Sequence, residues 1–469
     1  MNIRAIVYYL GWLSLPISAL SLLNIVFCSY FKYNVNLYSY VIVLGLVLIF
    51  FLFSNFQKIL NYELNIIEKI FLILIGWFFF PLFLSVPYYF SFYNLNFFSS
   101  YFEAISGFSS YGFSVFSNPE IINEPLLLWR SGSQWVGGLF YIVSIILVFG
   151  TELINFKPIK YIFFGKTSSA LKNNFFSNYI NILYCYVLIS LFILFLLNLT
   201  ELRLLDKFNL MLSIVSTGGF YIKKNLYLIS DFDKFIVSIS LLLSSLNIFI
   251  FYYFFKKDRE YNFKEDFYVL LFFILIPLIL IILYPSLTNF FEIFLSVALS
   301  ASNTGIVHAN NSFQIFSFIL LLTTFVGGSL ISTTSGFKLI RIVFFFKKFL
   351  TEILKILVPS RIIKKNIFGS LNNINNSDYF ISLLIFIFYF IIFVITFFIL
   401  SFDQLSFDDT FKVVFLTLNN TLPTNFLSKE IFFDDLFFSS KLSILLLMVF
   451  SKTIFISIFV LIKNLLWKR

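Results

Sequence analysis

Charge is scarce in this sequence: Asp, Glu, Lys and Arg make up 12% of 469 residues, whereas 60% are hydrophobic and 22% aromatic. No soluble core of this size requires such a balance, so the composition excludes an ordinary globular cytosolic chain and indicates a polytopic membrane protein. Histidine is nearly missing, with His308 the single copy. That removes most hydrolytic and metal-centred chemistries, which rely on imidazole as base or ligand. The two cysteines, Cys28 and Cys185, lie far apart in or beside apolar segments, so neither a disulfide framework nor a thiolate metal site is expected. The chain also lacks a paired acid and base, a nucleophile elbow and a phosphate-cradling loop tied to a soluble domain. It is therefore expected not to be an enzyme, to carry no cofactor and to bind no nucleic acid.

What the sequence has instead is long apolar runs. A helical residue rises about 1.5 Å and the hydrocarbon layer is about 30 Å thick, so a span needs about 20 apolar residues. Candidates cover 6–28, 37–56, 66–90, 126–150, 177–199, 234–255, 266–285, 312–350 (interrupted), 378–402 and 440–465. The first follows Arg4 like a secretory signal, but its length and the lack of a small-x-small site before Lys32 predict a retained span. Shorter apolar segments at 97–108, 206–216, 289–301 and 408–419 cannot cross and fit re-entrant half-helices. After the first two spans, the order long, short, long recurs four times. The expected fold is therefore an all-α polytopic membrane protein of about ten spans. Two N-terminal helices (1–62) precede four helix/pore-loop/helix repeats at 63–172, 173–262, 263–370 and 371–469, set around a central pore.

Basic residues orient the chain. Lys157, Lys160, Lys166 and Lys172 follow the first repeat; Lys338, Arg341, Lys347, Lys348, Lys355, Arg361, Lys364 and Lys365 follow the third. Both connections are expected to be cytoplasmic. Glu103, Glu120 and Glu124, with Asp403, Asp408, Asp409, Glu430, Asp434 and Asp435, predict an acidic outer face where cations enter.

Each short segment ends in a polar stretch: Ser109-Ser110-Tyr111-Gly112-Phe113, Ser216-Thr217-Gly218-Gly219-Phe220, Ser302-Asn303-Thr304-Gly305-Ile306 and Asn419-Asn420-Thr421-Leu422-Pro423. A half-helix dipping from outside puts the negative end of its dipole near mid-membrane, which favours a cation. Extended residues beyond it can turn carbonyls toward a common axis and replace an ion's water. Glycine suits such a strand because it tolerates positive φ and allows close approach. One such stretch carries little information, since helices often end in glycine; three matching stretches at the same place in a repeat predict a selectivity filter.

A second irregular stretch, Gly327-Gly328-Ser329-Leu330-Ile331-Ser332-Thr333-Thr334-Ser335-Gly336, splits the third repeat's second helix. Irregular backbone at membrane depth must border protein or water. A simple kink is the alternative, but ten residues are too many for one. Lys452 sits near the middle of the last span, where a charge costs about 2.5 to 3.5 kcal/mol on insertion scales, so something must compensate it.

With these residues the chain resembles the Trk/Ktr/HKT superfamily of potassium and sodium transporters, and the Trk branch in particular, which also places two extra helices before four units. "LLWRSGSQWVGGL" at 127–139 resembles the family's Trp-Arg, Gln-Trp, Gly-Gly run, and "FVGGSLISTTSGFKLIR" at 325–341 its Gly-Gly, Ser-Thr, Gly, Lys, Arg run. The resemblance implies a filter of Ser110, Tyr111 and Gly112; Thr217, Gly218 and Gly219; Asn303, Thr304 and Gly305; and Asn420, Thr421 and Leu422. Leu422 stands where the family has glycine, which leaves sodium open beside potassium. The same resemblance implies an intramembrane gate of Gly327, Gly328, Ser329, Ser332, Thr333, Thr334, Ser335 and Gly336, with Lys452 where the family has arginine. It further implies a homodimer in the cytoplasmic membrane, controlled by a cytosolic ring of nucleotide-binding domains. His308, just past Gly305, is expected to be solvated rather than a pH sensor. Two rivals stay open at this point. A proton-coupled transporter of another fold would bury a relay of carboxylates or histidines, and a lipid-processing enzyme would cluster catalytic groups on the cytoplasmic face.

Overall fold

The computed structural model describes residues 1–469 except 58–61, 63, 117–121, 153–174, 221–228, 251–263, 284–288, 306–313, 358–375, 404, 422–432 and 467–469. Among the described residues every regular element is helical. The order is α1 (Ile3–Phe31), α2 (Asn34–Phe56), α3 (Ile66–Tyr89), α4 (Phe97–Phe108), α5 (Glu124–Glu152), α6 (Phe175–Leu197), α7 (Leu204–Ser216), α8 (Asp231–Ser244), α9 (Lys264–Leu283), α10 (Phe290–Ala301), α11 (Gln314–Val326), α12 (Leu339–Leu357), α13 (Asn376–Leu400), α14 (Phe407–Leu418) and α15 (Phe438–Leu466). The chain is an all-α, multi-pass membrane protein. Within α1, α2, α3, α6, α9 and α13 lie stretches both long and apolar enough to cross a bilayer. Their outward faces carry exposed apolar side chains such as Ile49, Leu191, Ile274 and Phe398, as contact with hydrocarbon requires.

α5 and α15 are as long as α1, with 29 residues each, but carry polar groups on buried faces: Arg130 and Gln134 in α5, Lys452 in α15. The short helices α4, α7, α10 and α14 have 12, 13, 12 and 12 residues, about 20 Å at the helical rise and too short to cross. Asn96 and Ser406 cap α4 and α14 by accepting the Ser99 and Asp409 N–H groups at 2.8 and 3.1 Å.

Packing closes the helices into a ring. α7 lies against α5, α10 against α8, and α15 returns to pack on α3, α4 and α5. α1 and α2 pack on each other and flank α3, with α1 also against α5. Near the ring's start the core is aromatic: Trp77 meets Phe108 and Phe140 edge-on, at 5.1 and 5.4 Å between ring centres.

One expected span differs. Residues 234–255 read as continuous, but α8 ends at Ser244 and the chain turns through Ser245 to Phe249. Two of the backbone groups in the turn are taken elsewhere: the Ser245 carbonyl accepts the Ser329 N–H at 2.9 Å and the Ile248 N–H donates to the Ile331 carbonyl at 3.0 Å. The helix stops because another segment occupies its hydrogen bonds.

Candidate functional site

The four short helices end in the same turn. Ser110, Thr217, Asn303 and Asn420 have φ of 60, 53, 60 and 54°, in the left-handed region. In each case that residue's N–H returns to the carbonyl three residues back, and the next N–H to the carbonyl five back. The pairs are Ser110 to Gly107 and Tyr111 to Ser106, Thr217 to Ile214 and Gly218 to Ser213, Asn303 to Ser300 and Thr304 to Leu299, Asn420 to Thr417 and Thr421 to Leu416, all between 2.8 and 3.1 Å. This is a Schellman C-cap repeated four times, with polar side chains rather than glycine at the strained position. Gly112, Gly219 and Gly305 each lie two residues beyond it, and Leu422 holds the same offset. Leu422 lies outside the described residues.

At Gly112 φ is +87°, a region that favours glycine. The helix-ending turn itself is made two residues earlier. Close approach remains a reason: a β-carbon on Gly112 would lie 2.8 Å from the Gly219 Cα.

The structure brings these polar stretches together. The Asn420 amide donates to the Ser109 carbonyl at 2.6 Å, and the Tyr111 and Thr417 hydroxyls meet at 2.8 Å. The Asn303 amide donates to the Thr421 hydroxyl at 3.2 Å and to the Thr324 carbonyl at 2.8 Å. Gly112 meets Gly219, and the Thr333 hydroxyl donates to the Val215 carbonyl at the end of α7, at 2.9 Å. Among the described residues the first stretch touches the second and the fourth, the third touches the fourth, and the second is joined to the third unit through Thr333 of 327–336. The Gly218 carbonyl is itself taken by the Ser213 hydroxyl. Three side-chain oxygens at the strained positions, Ser110 Oγ, Asn303 Oδ1 and Asn420 Oδ1, are buried without a protein partner.

α5 explains why its motif has those residues. Arg130 Nε donates to Glu103 Oε1 at 2.9 Å, Nη2 to the Ser114 hydroxyl at 2.9 Å, and the guanidinium lies 4.0 Å from the Phe220 ring centre. With its amide oriented by its neighbours, Gln134 accepts the Gly219 and Phe220 N–H groups at 3.2 and 3.1 Å. β-Carbons at Gly137 and Gly138 would collide with the Phe108 carbonyl and approach Ser216 Cα to 3.0 Å, so this pair admits the ends of both α4 and α7. Glu103 is fully buried. It is thus a scaffold anion paired with Arg130, not part of an exposed acidic entrance. Asp403 is likewise buried and accepts the Phe437 N–H at 2.9 Å.

The segment 327–336 lies between α11 and α12 and folds back on itself. Gly327 and Gly336 have φ of +62 and +78°, the Phe337 N–H donates to the Phe325 carbonyl at 2.8 Å, and Gly328 N–H to the Thr334 hydroxyl at 3.0 Å. Ser332 Oγ reaches the Ser329 carbonyl at 2.7 Å and the Thr334 hydroxyl at 2.6 Å. Buried Lys452 donates to the Thr333 carbonyl at 3.1 Å, with Nζ 4.5 Å from the Tyr141 ring centre. These carbonyl and ring contacts offset the cost of its burial.

Lys338 was counted with the topology charges and belongs here instead. It is 1% exposed, and Nζ donates to the Ser329 carbonyl and Ser332 hydroxyl, each at 3.1 Å, and to both oxygens of Thr334. Arg341 is also buried, donating to the Phe337 carbonyl at 2.8 Å. His308 and the remaining lysines of the first basic connection lie outside the described residues, as do Arg361, Lys364 and Lys365.

No protein-family model matches the chain. Over its whole length it superposes on the potassium transporter TrkH from Vibrio parahaemolyticus, with a TM-score of 0.82, full coverage of both chains and 18% identity. The fold is that of TrkH. An uncharacterized cation transporter of Methanocaldococcus jannaschii is 25% identical over 285 residues, 60% of this chain, and the matched region spans 57% of that relative's length. The shared fold sets aside a rival built on another fold.

Proposed function

We propose that the chain takes up potassium across the cytoplasmic membrane. Ions pass a filter lined by carbonyls of Ser110–Gly112, Thr217–Gly219, Asn303–Gly305 and Asn420–Leu422, and then a gate formed by 327–336 with Lys452. The left-handed turn repeated at the end of all four short helices, with side-chain contacts from the first to the fourth and from the third to the fourth, supports this reading. Four half-helix ends with negative dipole poles and backbone carbonyls beyond them would suit a dehydrated monovalent cation. In this reading the chain is not an enzyme, the four sets correspond to the repeats at 63–172, 173–262, 263–370 and 371–469, and the protein works as a homodimer. A cytosolic nucleotide-binding ring docks on its basic inner surface. Leucine at 422 favours a second reading, sodium or unselective monovalent transport on the same fold.

Rubidium and sodium uptake into proteoliposomes decides between them. Rubidium is expected to enter faster, and Gly219→Phe or Gly305→Phe to abolish uptake while the protein still inserts. Equal or greater sodium flux would select the second reading; uptake untouched in both variants would remove the filter.

A further inference from the structure

The gate segment makes contacts that neither its own sequence nor the pore explains. Ser329 and Leu330 share one peptide group. Its carbonyl accepts from Lys338 Nζ at 3.1 Å and its N–H donates to Glu265 Oε1 at 2.9 Å. On either side of that peptide, the Ser329 N–H donates to the Ser245 carbonyl and the Ile331 carbonyl accepts the Ile248 N–H, at 2.9 and 3.0 Å. The seat is tight: a β-carbon on Gly328 would lie 2.3 Å from the Ser245 oxygen. The break in α8 is itself held from α9, since Asp266 Oδ1 accepts the Asn247 N–H at 2.9 Å. Ser245, Asn247, Glu265 and Lys338 are all at least nine-tenths buried.

We infer that Glu265 is a positioning residue of the gate: with Lys338 it clamps the Ser329–Leu330 peptide onto the broken end of α8, and this clamp sets how firmly the gate rests closed. Ser329 and Ile331 are thereby fastened to the break after α8, and Leu330 between them to α9. Residues 332–335 reach the half-helix end and Lys452 through Thr333, while Lys338 also binds the Ser332 hydroxyl and both oxygens of Thr334. The gate accordingly has a seat held from α8 and α9 and a tip gathered by Lys338, and Gly336 at φ +78° marks the end of the tip. Removing the Glu265 acceptor leaves the Leu330 N–H buried without a partner, which penalises the seated state specifically.

This inference rests on the gate reading of 327–336, so the test separates the two. In proteoliposomes of the full chain, passive rubidium leak is compared for the parent, Glu265→Ala, Glu265→Gln, Lys338→Met and a deletion of 328–335. Glu265→Ala is expected to raise leak by about tenfold, the factor that follows from one buried unpaired N–H. Glu265→Gln keeps an acceptor oxygen and stays near the parent. The rubidium-to-sodium ratio is unchanged in both, which a collapse of the fold would not allow. Lys338→Met, which frees the other end of the same peptide, also raises leak. If the deletion leaks and both Glu265→Ala and Lys338→Met match the parent, the clamp is overturned and the gate stands. If the deletion does not leak either, the gate reading falls first. Failure of both point variants to insert would assign the pair to folding and end the gating role.

Discussion

Gly112 shows how a single residue is constrained twice. Its φ of +87° is costly for any residue with a side chain, and the Gly219 backbone fills the place a β-carbon would take. Gly112→Ala is therefore expected to lower rubidium uptake at least tenfold, and Gly112→Ser to do the same; parent-like uptake in either would show that the contact between the first two loops is dispensable. Residue identity revealed part of this. The three glycines stood out because each followed a polar turn, but the left-handed cap lies two residues earlier, on Ser110, Thr217, Asn303 and Asn420, where asparagine suits that backbone and serine and threonine give no sign of it. Glu103 and Lys338 misled for a related reason. A charge in sequence carries no depth, and only the fold set each in a buried polar nest with partners from other segments.

At the scale of elements, length was the readable quantity. Runs of about a dozen apolar residues cannot cross a bilayer, and all four short helices lie within two residues of their expected bounds. The break in α8 was hidden because Ser244-Ser245-Leu246-Asn247 is no more polar than the serines that α1 buries unbroken. It depends on Ser329 and Ile331, more than eighty residues away, and local pattern holds no record of such a partner. Among the described residues the long helix α15 reaches the 327–336 segment through a hydrogen bond from Lys452 to Thr333. Lys452→Gln retains a shorter donor without charge. Its expected result is faster rubidium flux with an unchanged melting temperature, read by proteoliposome uptake and thermal denaturation; slower flux together with a lower melting temperature would make the lysine purely structural.

For the whole molecule, the proposed ion site is shared by four units far apart in sequence, so a bound cation ties the ring together. Binding to the folded state alone stabilises by RT ln(1 + [L]/Kd), about 2.7 kcal/mol at a hundredfold excess over Kd. Potassium is expected to raise the melting temperature of the detergent-solubilised protein in a concentration-dependent way, more than sodium, and to lose this effect in Gly112→Ala. Identical melting curves in potassium, sodium and choline would argue against a cation held between the units. Overall architecture was legible because hydropathy and repeat order are properties of the entire chain. The closure of the ring was not, since it rests on individual contacts such as Asn420 to Ser109.

The four end-turns share a backbone yet carry serine, threonine and two asparagines at the same station. A pore assembled from four identical subunits would alter every station at once with any mutation. In the proposed pore the genetic unit is one quarter of the circle, so selection can retune one wall while three stay put, and a leucine at 422 would be a local change rather than a fourfold defect.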